Sequence, residues 1–324
     1  MSEIIRLISE VITEKNLPNG IGLKELDDGG TVPMQDYEIV FAGDAHAVHP
    51  IFYPGGNIGK LAISGTVNDL LMMGAKPLAI ADTLVVEEGF EIKKLKKILE
   101  TMNETAKEAH IAIIAGDFKV VPKGKIDQIL ISTFGIGIVK KNQLILDSGL
   151  QPGDKIILTG SIGDHGIAIM AHREGIEFET ELLSDTAPLV ETIQAALSVG
   201  QVTAMKDPTR GGIAAALNEF AEKSNVSIWL RENQIPIKEA VHAASEMLGI
   251  DPYEVTCEGK ALIGVKEKNV NQVLETIKKT KYGKDAAIIG TVKSERPGMV
   301  ILETKIGGHR IVEMPYGEPI PRVC

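Results

Sequence analysis

Five side chains in this 324-residue sequence have types and positions suited to chemistry on a phosphate and on a thiol. Four are aspartates of the N-terminal half. Asp44 follows the apolar run 37–43, Asp82 lies within 77–86, Asp117 ends Ile111-Ala-Ile-Ile-Ala-Gly-Asp117, and Asp69 stands with Asn68 in an otherwise apolar stretch. A carboxylate beside glycine at a strand end lets backbone come close to a ligand. Each aspartate taken alone could equally cap a turn. Brought together by a sheet, they would supply the oxygen donors that magnesium takes alongside waters and phosphate oxygens. Asp69 needs a cation or hydrogen-bond partners in its apolar setting. The fifth side chain is Cys324, the last residue, on the tail Met314-Pro-Tyr-Gly-Glu-Pro-Ile-Pro-Arg-Val-Cys324. Pro315, Pro319 and Pro321 fix φ and remove donors, so a flexible, extended tail able to carry its thiol into a pocket is expected. A frayed terminus without a role is the alternative. Prenylation is excluded, because that signal needs cysteine fourth from the end.

The elements that must position these residues follow from the pattern of apolar residues. The runs 37–43, 77–86 and 111–117 read as strands. Pro54-Gly-Gly-Asn-Ile-Gly59 leads into a helix over 61–73, with Ile63, Val67, Leu70 and Leu71 at helical spacing and Gly74 and Pro77 as stops. A second helix over 90–110 is expected to bury Ile92, Leu95, Leu99, Met102 and Ala106 and to leave its charges solvated. The turn-rich stretch Asp147-Ser-Gly-Leu-Gln-Pro-Gly-Asp154 marks a boundary, giving domains 1–145 and 146–313 and a tail 314–324.

Beyond that boundary, a strand over 155–159 enters Gly160-Ser-Ile-Gly-Asp-His-Gly166, a turn of the kind that cradles phosphate or simply packs. Asp207-Pro-Thr-Arg-Gly-Gly212 is more specific, because it joins a carboxylate, a hydroxyl, a guanidinium and two close-approach glycines at a helix start. Thr256-Cys-Glu-Gly259 breaks into a strand over 260–265, and 269–279 is amphipathic. His46 and His49 read as strand-end packing, since no thiolate or third histidine is near.

Composition bounds the class. A 44% hydrophobic, 24% charged chain of this length suits a soluble protein of about two domains. The net charge of -10 speaks against a nucleic-acid surface. With only Cys257 and Cys324, and no leader or long apolar run, the expectation is a reducing cytoplasm, no disulfide framework and no membrane span. Cys257 reads as a small buried hydrophobe.

Val67-Asn-Asp-Leu-Leu-Met-Met-Gly-Ala75, Ala115-Gly-Asp-Phe-Lys-Val-Val121, Thr159 to Gly166, Asp207 to Gly212 and the terminal Pro321-Arg-Val-Cys324 together resemble the HypE family of hydrogenase maturation factors, over nearly the whole chain. The first four motifs are similar to those of a wider ATP-using superfamily that includes aminoimidazole ribonucleotide synthetase, selenophosphate synthetase and thiamine-monophosphate kinase. The terminal cysteine alone singles out HypE. The resemblance implies an α+β fold: an N-terminal domain whose sheet pairs with a second copy in a homodimer, a C-terminal α/β domain of similar size, and ATP between them. It also implies an ATP-dependent dehydratase. A HypF-type carbamoyltransferase modifies the terminal thiol, ATP drives conversion of the thiocarbamate to a thiocyanate, and the nitrile passes to iron on a HypC and HypD scaffold to become cyanide ligands of a nickel-iron hydrogenase. An amide oxygen is a poor leaving group, which is why phosphorylation is needed, and magnesium would offset the charge developing on the transferred group.

Residue roles follow from the same resemblance. Asp44, Asp69, Asp82 and Asp117 would hold magnesium, and Asn68, Asp207, Thr209, Arg210 and Gly211 the nucleotide. Lys119 and Glu258 would surround the thiocarbamate on Cys324. Arg322 would lock the inserted tail, or is a solvated tail charge. Three features depart from the pattern: the Gly-rich N-terminal stretch is missing, Asn57 replaces an aspartate, and Phe118 replaces a small hydroxyl residue. All three bear on ATP affinity. Two alternatives differ in kind. A same-superfamily enzyme acting on a free small molecule would have no use for a tail ending in cysteine, and a non-enzymatic scaffold would present the Cys324 thiolate to a partner without ATP chemistry.

Overall fold

The computed structural model describes residues 2–176, 182–316 and 321. The chain opens with helix α1 (Ser2–Val11) and strands β1 (Gly30–Met34) and β2 (Tyr37–His46). A short hairpin, β3 (Phe52–Tyr53) and β4 (Gly56–Asn57), leads into α2 (Ile58–Met72). Strand β5 (Lys76–Glu87), helix α3 (Ile92–Glu108) and strands β6 (Ala112–Val121) and β7 (Ile129–Lys140) complete the first half. Its five-stranded sheet has the order β1-β2-β7-β5-β6. All pairs are antiparallel except β5 with β6, which α3 connects as a crossover.

One face of this sheet is packed and the other is open. Val40, Ala42, Ile129 and Ile131 point inward, whereas Phe41 and Phe134 on the opposite face remain 46% and 56% exposed. The packed face is covered by α2, which is buried nearly all round because the second half of the chain covers its far side. Asn57 caps α2 by accepting the Gly59 N–H at 2.8 Å, so the residue that departs from the family pattern has a defined local use. Gly59 admits α3: a Cβ there would stand 2.6 Å from the Ile98 carbonyl oxygen.

The second half contains β8 (Lys155–Leu158), α4 (Asp164–Glu174), α5 (Val190–Val199), β9 (Val202–Lys206) and α6 (Gly212–Lys223). There follow β10 (Ser227–Arg231), α7 (Glu239–Leu248), β11 (Leu262–Val265), α8 (Val270–Ile277), β12 (Ala287–Lys293), β13 (Val300–Glu303) and β14 (His309–Ile311). These strands form one sheet in the order β14-β13-β10-β12-β8-β11-β9. Its central strands are apolar on both faces, as strands covered twice must be. Ile58, Leu61 and Ile63 of α2 share one core with Leu189 and Ile193 near α5 and with Ile263 of β11. The result is the α+β fold of two sheet-centred halves that the sequence implies.

Two sequence expectations change. Asp44 and Asp117 lie inside strands, because β2 runs on to His46 and β6 to Val121. The buried stripe of α3 is Ile98, Met102, Thr105 and Ala106, while Ile92 and Leu99 are exposed, since only that face meets α2. The run 111–117 is a strand as expected, and it proves to be the sheet's edge strand β6, with Ile114 69% and Val120 56% exposed.

Candidate active site

Strand parity decides which aspartates can meet. In the sheet, Asp44 pairs with Thr133 of β7, and Thr133 pairs with Asp82 of β5. Residues in register share a face, here the one beneath α2. Thr66 of α2 donates to Asp44 Oδ2 at 2.7 Å and shares a 2.6 Å hydrogen bond with Thr133. Asp69 follows three residues later on the same helix face. Gly116 is required beside Asp82, because a Cβ there would stand 2.3 Å from Asp82 Oδ1. Asp117 is in register with Thr83, so it lies on the other face, exposed, with its Oδ1 accepting the Phe118 N–H at 2.9 Å. The four-aspartate cluster expected from sequence is therefore not assembled within one protomer. Among the described residues no three His, Cys, Asp or Glu side chains form a ready metal cage.

A different carboxylate set gathers where the halves meet. Burial, then Asp44, Asp207 and Asp28, push the Asp69 carboxyl well above the usual carboxylate range. Asp207 is raised well above that range by burial and then by Asp28, with Glu258 and Asp44 adding to it and Lys206 opposing. Asp28 comes from the Asp27-Asp28-Gly29-Gly30 turn, which sequence reading passed over because it looks like any acidic turn. Its Oδ1 takes the Lys206 ammonium at 2.7 Å, and its Oδ2 is buried with no partner. Lys206 also lies 3.1 Å from Glu219 and 3.5 Å from Asp147. Burial, Asp147 and Asp28 push Asp27 up to about 7. Lys206 thus meets one Asp28 oxygen and leaves the other buried and open beside carboxyls raised by burial and by one another's charge. Magnesium fits such a set, since it binds through few carboxylates and takes its remaining donors from water and phosphate.

The Asp207 to Gly212 turn stands against this set. Gly211 and Gly212 have φ of 76° and 59°, and a Cβ on Gly212 would lie 2.5 Å from the Tyr253 carbonyl oxygen. Thr209 is half-buried and its carbonyl accepts the Gly212 N–H at 3.1 Å. Arg210 is exposed; burial is the main reason the His46 pKa is lowered, with Asp44 opposing and Arg210 adding to it. His46 itself is buried against the Thr133 hydroxyl at 3.2 Å, as packing, and His49 pairs with Asp127 at the surface. Pro315 of the tail lies 3.4 Å from where a Gly211 Cβ would sit. Cys324 and Arg322 fall outside the described residues.

The remaining expected residues are dispersed. Lys119 is exposed on β6, on the same side of the strand as Asp117. Glu258 is buried, with its backbone N–H on Asp185 Oδ1 at 3.0 Å. Asn68 is buried and engaged at both ends of its amide: its Nδ2 donates to the Ala187 carbonyl at 3.1 Å and its Oδ1 accepts the Leu189 N–H at 2.9 Å. Cys257 is buried, and burial is the main reason its thiol is raised well above the usual range. Within the Gly160 to Gly166 turn Ser161 donates to Asp164 at 2.6 Å, and Lys238, from outside it, stands 2.7 Å from the same carboxylate. No helix among the described residues is long and apolar enough to cross a membrane.

Comparison with known proteins agrees with this architecture. Residues 26–139 match the AIR synthase related protein, N-terminal domain, and residues 151–302 match the C-terminal domain of the same family. A putative hydrogenase expression/formation protein of Methanocaldococcus jannaschii is 51% identical over 100% of this chain and 96% of its own length. A carbamoyl dehydratase HypE of Bradyrhizobium diazoefficiens is 43% identical over 92% of this chain and 87% of its own. The solved structure of a HypE-HypF complex superposes with a TM-score of 0.90 at 39% identity, covering 97% of this chain and 100% of that one. HypE in complex with ATP gives a TM-score of 0.86 at 36% identity, covering 98% and 96%. Shared sequence along the whole chain and a shared fold in both halves place this chain in the HypE family of hydrogenase maturation factors.

Proposed function

We propose that this chain uses ATP to dehydrate an S-carbamoyl group carried by its own Cys324 to a thiocyanate, supplying cyanide ligands for nickel-iron hydrogenase maturation. The observation that carries this reading is where the tail begins: Pro315 lies beside Gly211, at the turn that begins with Asp207. Eight residues, and so nine Cα-to-Cα steps, separate Pro315 from Cys324, and an extended segment of that length spans up to about 30 Å. The tether is long enough to bring the thiol to the carboxylate set. A free-substrate enzyme would gain nothing from it.

The reaction balances as follows. The carbamoyl oxygen bonds to the γ-phosphorus, the bond to the ADP oxygen breaks, and the nitrogen gives up one proton. The carbon–oxygen bond then breaks, the second nitrogen proton leaves, and the oxygen departs in phosphate as the nitrile forms. Magnesium supplies charge neutralisation at the phosphates when bound. Asp28, Asp44, Asp69 and Asp207 are the residues that would hold it, with Asp82 next in the row across the sheet. Gly211 allows close approach of backbone to the nucleotide, and Thr209 and Arg210 border that approach. Asn68 positions the nucleotide site indirectly, through the 187–189 backbone it fixes. Glu258 takes a nitrogen proton, and Lys119 holds the carbamoyl oxygen.

Asp117 and Lys119 lie on β6, away from the Asp44 row. They reach a site through a homodimer formed on the open apolar sheet face that carries Phe41, Leu78 and Phe134, beside the exposed edge at Ile114 and Val120. We divide the chain into 1–145, 146–313 and a tail 314–324. A HypF-type carbamoyltransferase as donor, a HypC and HypD scaffold as acceptor, and a reducing cytoplasm suited to a free thiol complete the assignment.

Separating the steps tests it. Lys119→Ala and Glu258→Gln should bind Mg-ATP yet accumulate carbamoylated Cys324 without forming thiocyanate. Normal thiocyanate formation in both variants would reject these roles.

A further inference from the structure

Behind Glu258 lies a buried ion pair that the steps above leave unused. Asp185 Oδ1 accepts the Glu258 backbone N–H at 3.0 Å, and its Oδ2 stands 3.1 Å from Lys260 Nζ. The Asp185 and Lys260 side chains are 3% and 10% exposed. The surrounding backbone is fitted to them. A Cβ on Gly259 would lie 1.9 Å from the Asp185 carbonyl oxygen, and one on Gly160 would lie 2.9 Å from Lys260 Cε. Burial works against the Lys260 ammonium, but Asp185 and then Asp164 outweigh it and raise its pKa.

Asp185 belongs to a strap, residues 182–189, laid across the junction of the two halves. Ser184 donates its N–H to the Pro54 carbonyl at 2.9 Å, and Ala187 and Leu189 are held by Asn68, the neighbour of Asp69. One short segment thus ties the helix that carries Asp69 to the turn that carries Glu258. A buried ion pair is weak ground for stability, because apolar residues of equal volume commonly do as well. Its use lies in where it holds the chain.

We infer that Asp185 and Lys260 are positioning residues for Glu258: Asp185 braces the 256–259 turn through the Glu258 N–H, and Lys260 holds the Asp185 carboxylate in place. This rests on the assignment of Glu258 to the dehydration step, and on nothing else in the proposed reaction. Neither residue touches substrate. Cys257 N–H on the Pro208 carbonyl and Gly166 N–H on the Thr256 carbonyl hold the start of the turn, so without Asp185 it is the Glu258 end that would lose its brace and the carboxylate its aim, while the nucleotide's own contacts would stay.

The test uses full-length protein carbamoylated on Cys324 in advance, with single-turnover thiocyanate formation read by peptide mass and Mg-ATP affinity read by calorimetry. Asp185→Asn and Lys260→Met should each slow dehydration on the order of 10- to 100-fold, the range typical of groups that orient a reacting residue, with Mg-ATP affinity unchanged. Lys260→Arg should restore most of the rate. Asp185→Asn combined with Glu258→Gln should be no slower than Glu258→Gln alone, because one acts through the other. Normal rates in both single variants beside a blocked Glu258→Gln would overturn the inference, as would losses that add in the double variant or that appear equally in Mg-ATP affinity. Should Lys260→Met fail to fold, Asp185→Asn and Lys260→Arg carry the same comparison. If Glu258→Gln itself converts normally, the fault lies in the Glu258 assignment.

Discussion

Replacing Asp69 by asparagine should change the protein in two opposite directions. In the free chain, burial and then Asp44, Asp207 and Asp28 hold the Asp69 carboxyl well above its ordinary range. A carboxyl raised in the folded state stabilises the fold only while protonated. That contribution is full below the ordinary carboxylate range and is lost as pH rises through the raised value. At pH 8 the native aspartate therefore works against the fold, and Asp69→Asn should melt higher than wild type when no ligand is present. With Mg-ATP the order reverses. At 100 times Kd, ligand stabilises wild type by about 2.7 kcal/mol, on the order of 5 °C for a chain of this size. If loss of the carboxylate weakens binding about 100-fold, the same ligand concentration equals the new Kd. Stabilisation then falls to about 0.4 kcal/mol and the shift to roughly 1 °C. Scanning calorimetry at pH 8, with and without Mg-ATP, reads both effects. A full ligand shift in the variant, or a lower melting temperature without ligand, would refute the reasoning.

Two further outcomes follow from the same electrostatics. Asp27 is raised from 3.8 to about 7, by burial first, so its stabilising neutral form is lost across that interval as pH rises. The stability of Asp27→Asn relative to wild type should accordingly climb by about 1–3 kcal/mol through this window, allowing for partial solvent screening. Urea melts at several pH values check this, and a flat difference would contradict it. Cys257 is buried with its thiol pushed up, so a thiol reagent at pH 7.5 should modify it only after unfolding, and rapid labelling in the native protein would contradict that burial.

Local pattern was enough for most elements and for part of the site. The strands around Asp44, Asp82 and Asp117 and the helix around Asp69 are readable because apolar periodicity is a short-range signal. Strand parity is less forgiving. A carboxylate placed at the end of an apolar run looks the same whether it faces α2 or solvent, and Asp117 takes the second option. The edge position of β6 is likewise a property of the whole sheet, so its apolar run could not announce that it would lie exposed. Asp28 acquires meaning only when Lys206, 178 residues away, closes on it. Asp185 sits in a stretch without periodicity, and its partners Glu258 and Lys260 lie on the far side of α6 and α7 in sequence. Asn68 stood out correctly as a polar group in an apolar helix, but its partner turned out to be the chain's own strap.

The most direct test of the central claim is the mass of the C-terminal peptide. Incubation with a HypF-type carbamoyltransferase should add a carbamoyl group to Cys324, and supplying Mg-ATP should then remove the mass of one water. Cys324→Ala should fold, bind Mg-ATP and show neither change. Modification on Cys257 instead, or a carbamoyl group on Cys324 that persists in the presence of Mg-ATP, would contradict the account.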